Sequence, residues 1–105
     1  MKITKTDFQG LFIIEPTVYN DNRGYFFESF RQDHFSEVGL NVEFKQENQS
    51  KSTRSVLRGL HYQLKYGQGK LVSCPLGEVF DVALDIRKGS PTFGQSYTTN
   101  LNDKN

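Results

Sequence analysis

From Glu78 to Ile86 the chain carries its clearest period-two pattern, with Phe80, Val82, Leu84 and Ile86 on one side of an extended backbone and Asp81 and Asp85 on the other. Side chains alternate across a strand but recur every 3.6 residues in a helix. This stretch is therefore read as β, its apolar side facing a core and Asp81 and Asp85 turned out or towards a partner sheet. The other apolar segments are also short, and turn residues stop them. Residues 1 to 10 alternate weakly and end at Gly10, and Leu11 to Ile14 is halted by Pro16. The cluster Asn20-Asp21-Asn22-Arg23-Gly24 predicts a turn, followed by a strand over Tyr25 to Phe30. Val42 to Gln49 alternates cleanly, Lys65 to Gly69 reads as a hairpin turn, and Lys70 to Cys74 reads as its returning strand, antiparallel to the one before. Phe93 to Leu101 is a last, more polar strand. One helix is expected, from Asp33 as N-cap to Gly39 as its stop, with His34 an ordinary surface residue. About seven short strands and one helix, without an internal repeat, describe an all-β sandwich, barrel or jelly roll.

Composition narrows the function classes. At 105 residues the chain allows one domain at most, near the size at which a core stabilises by only a few kcal/mol. Hydrophobic residues are 35%, so association with another chain would help to bury a core. Nine Phe and five Tyr supply most of the apolar bulk, and aromatic residues suit both strands and pockets for flat ligands. A net charge of +1 gives no global field for nucleic acid or membrane, so any anion site must be local. The single cysteine, Cys74, has no internal disulfide partner, and no apolar run has the length of a signal peptide or a membrane span. A cytoplasmic protein that is not exported is the expectation.

The segment Ser55 to Leu64 has strand composition but carries Arg58, Gly59 and His61 where a structural strand would place neutral or apolar residues. In a regular strand Arg58 and His61 point to opposite faces. A bulge at Gly59 would bring both to one cavity. A structural strand with a hydrogen-bonded His and a surface Arg stands beside that reading. Two further segments carry the same ambiguity. Glu28 shares a face with Phe26 and Phe30, either as a solvent-facing acid or as a ligand contact. The core face of Val42 and Phe44 continues as Gln46 and Asn48, either emerging into solvent or lining a site that bonds a polar ligand.

No serine triad or phosphate-cradling glycine loop is present. A metal site is disfavoured. The pair of His one residue apart that metal-binding β-barrels use would fall on His61 and Gln63, and with two His in the chain three-His ligation within one subunit is impossible. What remains is a neutral-range base, His61, with Arg58, Arg23 and Lys70 as cations for the same cavity. A His can take a proton from carbon when an ammonium stabilises the charge that develops on a neighbouring carbonyl oxygen. Base and oxyanion donor together suggest proton abstraction next to a ketone.

Residues 23–29, 46–52, 56–63, 69–72 and 77–87, in that order, closely resemble the dTDP-4-dehydrorhamnose 3,5-epimerases. The resemblance implies a cupin-type jelly roll or β-sandwich with one short helix, incomplete at the C-terminus. It also implies a homodimer without cofactor or metal, acting on a dTDP-4-keto-6-deoxy sugar nucleotide. By position His61 resembles the family's base at C3 and C5, and Lys70 the donor to the enolate oxygen. Arg23 and Arg58 resemble sugar-nucleotide contacts, and Glu28, Gln46 and Asn48 other substrate contacts. Family members continue beyond the position of Asn105 into strands carrying the Tyr that serves as acid and the Asp that orients the His. Tyr97 precedes the place of that Tyr, so the polypeptide as written is expected to turn over little by itself. Within the same resemblance lie epimerases specific for C3 or C5 and ketoisomerases. A non-catalytic nucleotide-sugar-binding module is the alternative outside enzymes, and an assembly unit with open strand edges is a third.

Overall fold

The computed structural model describes residues 1–104. Three antiparallel hairpins make three two-stranded sheets. In the first, β1 (Lys2–Lys5) pairs with β2 (Phe12–Glu15), with Ile3 opposite Ile14. In the second, β3 (Val18–Asp21) pairs with β4 (Gly24–Phe27). A two-residue turn at Asn22 and Arg23 joins them, and the Asp21 carboxylate braces it by accepting from the Arg23 backbone N–H at 2.8 Å. In the third, β5 (Glu78–Leu84) pairs with β6 (Ser96–Asn102) along seven residues.

Between the second and third hairpins lies α1 (Gln32–Glu37). Gly39, at φ +84°, ends it. The Gly39 N–H reaches the Ser36 carbonyl at 3.0 Å and the Leu40 N–H the Phe35 carbonyl at 2.9 Å, satisfying carbonyls that the last turn leaves open. The helix start differs from the expectation. Arg31 takes the N-cap position and no side chain caps it, because the Asp33 carboxylate accepts from the Arg31 Nε and the His34 N–H instead.

Phe35 is the buried apolar side chain, 2% exposed. Phe30 and Phe44 meet it edge-on at ring separations of 4.8 and 6.5 Å, and each other at 5.2 Å. This trio anchors the segment after α1 to the segment after β4. A second anchor joins the outer hairpins. Arg87 Nη1 donates to the Gln9 carbonyl at 2.6 Å, and Phe8 packs edge-on to Tyr97 at 5.9 Å.

The structure corrects the sequence reading in three places. The strands expected at 42–49, 55–64 and 70–74, and the hairpin joining the last two, are not formed; no strand or helix occurs between α1 and β5. These residues meet no neighbour along which a ladder could run, and alternation without a hydrogen-bonded partner does not make a strand. The strand expected to reach Phe30 ends at Phe27. Burial along 80–86 departs from the expectation in part: Phe80, Leu84 and Ile86 are exposed, Val82 and Asp81 are both half-buried, and Asp85, just beyond β5, is 6% exposed.

Burial of that carboxylate is possible because its oxygens are saturated. Asp85 accepts from the Arg87 N–H, Nε and Nη2, from the Ser90 hydroxyl at 2.6 Å and from the Thr92 hydroxyl at 2.6 Å. Arg87 first, then Ser90 and Thr92, hold its pKa far below the usual carboxylate range. The radius of gyration is 15.3 Å, against about 13 Å for a compact chain of this length. The hairpins are thus an open frame with uncovered apolar faces. Among the described residues no helix is long and apolar enough to cross a membrane.

Candidate functional site

The polar connection after Asn48 turns twice before it reaches His61. The Val56 N–H bonds the Thr53 carbonyl at 3.3 Å, and Ser55 lies at φ +71°. This reversal brings Arg58 back against the segment it left. Its Nε donates to the Ser52 hydroxyl at 2.7 Å and its Nη2 to the Lys51 carbonyl at 3.1 Å. A guanidinium tied at two points has a fixed direction, and its remaining N–H groups are available to an anion.

Gly59 follows at φ +100°, a conformation that L side chains rarely adopt. The His61 ring folds over it, so that a β-carbon at Gly59 would lie 3.5 Å from both the His61 N and Nδ1. The sequence expectation of a bulge at Gly59 inside a strand is replaced by a sharper device, a left-handed residue in an unpaired segment. The expectation that Gly59 brings Arg58 and His61 to one cavity is not met by any hydrogen bond between the two among the described residues. His61 and Lys70 are exposed. The ladder that would have set Lys70 across from His61 or Gln63 does not form.

The other residues sit on two further elements. Arg23 is at the tip of the β3–β4 hairpin, its Nη2 2.6 Å from an Asp21 oxygen; Arg23 holds the Asp21 pKa below its ordinary value. Gln46 and Asn48 are neighbours on one side of an extended segment, Gln46 Nε2 donating to Asn48 Oδ1 at 3.4 Å. That segment is carried by Phe44 in the aromatic trio.

Glu28 lies just after β4 and lines a cleft of about 250 Å³ with Tyr19, Phe26, Arg31 and His34. Its carboxylate is 3.9 Å from His34 Nδ1 and 4.0 Å from Arg31 Nη1. Sequence reasoning left Arg31 and His34 out of the site; the signal that points to them is the spacing of three through Glu28, Arg31 and His34. The structure thus brings together Gln46 with Asn48 and Glu28 with Arg31 and His34. No hydrogen bond or ion pair among the described residues joins His61, Lys70, Arg58 and Arg23 to one another.

On separate segments these residues supply an imidazole, a lysine, two arginines and two amides. The family model described as dTDP-4-dehydrorhamnose 3,5-epimerase matches residues 5–105. The chain belongs to this family. The dTDP-4-dehydrorhamnose 3,5-epimerase of Shigella flexneri is 59% identical, the match covering all of this chain and 59% of that one. The crystal structure of the Elizabethkingia anophelis epimerase is 50% identical with a TM-score of 0.90, covering 100% of this chain and 58% of that one. That of the Legionella pneumophila dTDP-6-deoxy-D-glucose-3,5-epimerase, in complex with dTDP-4-keto-L-rhamnose, is 52% identical with a TM-score of 0.91, covering 99% and 56%. The chain therefore spans a little under three fifths of these relatives, and over that span it has their all-β, cupin-type architecture.

Proposed function

We propose that residues 1–105 form one cupin-like unit of a metal-independent 4-keto sugar-nucleotide epimerase. In this reading dTDP-4-keto-6-deoxyglucose is converted to dTDP-4-keto-L-rhamnose. The observation that carries the proposal is the whole-chain likeness, at 52% identity, to an epimerase whose structure holds dTDP-4-keto-L-rhamnose. The chemistry follows from the residues. The protons at C3 and C5 are acidified by the ketone at C4, and His61 is the base that removes them. The electron pair of each broken C–H bond moves into the ring to give an enolate, and Lys70 donates to its oxygen. Protonation from the opposite face inverts the carbon. That acid is assigned to no residue here; Tyr97 is engaged edge-on with Phe8.

Arg58 and Arg23 hold the pyrophosphate, since a guanidinium matches two phosphate oxygens at once. Glu28 accepts the N3–H of thymine between the Tyr19 and Phe26 rings, and Gln46 and Asn48 bond the sugar nucleotide. The uncovered apolar side chains of β5, Phe80 at 68% and Leu84 at 43% exposure among them, support pairing of two copies as a homodimer. The lone thiol of Cys74 suits a cytoplasmic setting.

The test is proton exchange. The polypeptide is incubated with dTDP-4-keto-6-deoxyglucose in deuterated water, and C3 and C5 are followed by NMR. Deuterium at both carbons, lost in His61→Ala, is the expected result, and entry at one carbon alone would redirect the assignment to a single-site epimerase. Binding without any exchange, unaltered in His61→Ala, would instead make the chain a nucleotide-sugar-binding module.

A further inference from the structure

Glu28 stands where the β3–β4 hairpin meets α1, and the two basic side chains nearest its carboxylate, Arg31 and His34, are both presented by that helix and its N-cap. Arg31 faces one oxygen at 4.0 Å and His34 the other at 3.9 Å. These separations exceed hydrogen-bond lengths, so both oxygens keep lone pairs available to a donor in the cleft. Arg31 is itself fixed, because its Nε donates to Asp33 Oδ1 at 2.8 Å, and the same oxygen accepts from the His34 N–H at 3.0 Å. Asp33 first, and Glu28 after it, raise the Arg31 pKa above its usual value, so the guanidinium carries its charge throughout. Four side chains within residues 28–34 therefore form one connected set, ending in an acceptor on the cleft wall.

We infer that Arg31 and His34 are positioning residues that hold the Glu28 carboxylate as a ready acceptor for the imide N–H of a pyrimidine base in the cleft beside Tyr19 and Phe26. This rests on the reading of Glu28 as a nucleotide contact. Glu28 is on no regular element, since β4 ends at Phe27 and α1 begins at Gln32. Left alone, such a side chain would have to be ordered by the ligand. Arg31 facing one oxygen and the His34 ring facing the other do that ordering before the ligand arrives. Immobilising one long side chain on binding weakens affinity by about 2- to 12-fold.

The probe is dTDP-glucose, which has the nucleotide but no 4-ketone, with its affinity for the full 105-residue chain measured by calorimetry. Arg31→Gln and His34→Gln each weaken binding by about 2- to 12-fold. In a Glu28→Gln background the same two changes do nothing further, because they act through the carboxylate. Urea midpoints are measured beside the affinities, and Arg31→Lys, which keeps the charge, recovers part of the loss even if the Gln variant folds poorly. Undiminished effects in the Glu28→Gln background, or wild-type affinity in both single variants, overturn the inference alone. Absence of dTDP-glucose binding by the wild type, or wild-type affinity in Glu28→Gln, overturns the nucleotide reading of the site and the inference with it.

Discussion

Truncating Phe35 is the most direct test of how the site's two arms are held together. The ring is 2% exposed and lies edge-on to Phe30 and Phe44. Phe→Ala at a buried site costs about 3 to 5 kcal/mol, combining lost transfer energy with the cavity left behind. Two edge-to-face pairs account for about 1 to 3 kcal/mol of this, at 0.5 to 1.5 each. Phe35→Leu, which keeps much of the volume but no ring, should therefore lose roughly 1 to 3 kcal/mol. In a domain this small, 1 kcal/mol moves Tm by about 4 to 8 °C. The assay is urea and thermal unfolding followed by far-UV circular dichroism and tyrosine fluorescence, there being no Trp. Because Phe44 precedes Gln46 and Asn48 by two and four residues, Phe35→Leu should also weaken dTDP-glucose binding. A loss below about 1 kcal/mol in Phe35→Ala, the level of an ordinary surface change, would refute the claim that this trio is the anchor.

Other perturbations separate the site from the frame. Lys70→Met should slow deuterium exchange at C3 and C5 of the 4-keto substrate by the roughly 3 to 4 kcal/mol typical of a lost oxyanion donor, with dTDP-glucose affinity nearly unchanged, as NMR and calorimetry would show. Gly59→Ala forces a β-carbon onto a residue at φ +100° and should destabilise by about 1 kcal/mol or more while reducing deuterium exchange further than that loss of folded protein explains. Asp85 has its pKa lowered on folding, so the folded chain binds fewer protons there than the unfolded one. Its stabilisation is fully present above the ordinary aspartate value of 3.8 and is lost as pH falls below it, and Asp85→Asn should flatten the acid limb of a stability profile measured by urea midpoints from pH 2 to 7.

What was legible in the sequence is what is settled over a few residues. The turn at Asn22 and Arg23 needs only Asp21 to brace it, and the helix stop needs only a glycine able to take positive φ, so both stood where expected. The strands at 42–49, 55–64 and 70–74 did not, since alternation states what a segment can pair with and not whether a partner is present. Which side chains along 80–86 are covered was read only in part, for a related reason. Alternation divides the strand into two sides, but which side is covered depended on Ser90 and Thr92 reaching back to Asp85 from the following loop. At the site, residue types drew attention to Arg58, Gly59 and His61 but left a plain structural strand as an open alternative, while the positive φ of Gly59 is a local backbone property. Arg31 and His34 escaped notice because their relevance depends on where β4 ends and α1 begins.

The bond from Arg87 to the Gln9 carbonyl spans 78 residues of sequence. Each hairpin can form within microseconds of leaving the ribosome, but this bond cannot exist until the chain has been made as far as Arg87. The length-dependent part of closing such a loop costs about 4 kcal/mol, more than one hydrogen bond returns. The closure must therefore be shared with the Phe8–Tyr97 contact and with completion of the β5–β6 hairpin. During synthesis the N-terminal hairpin therefore cannot gain both contacts with the third hairpin until the chain has been made as far as Tyr97.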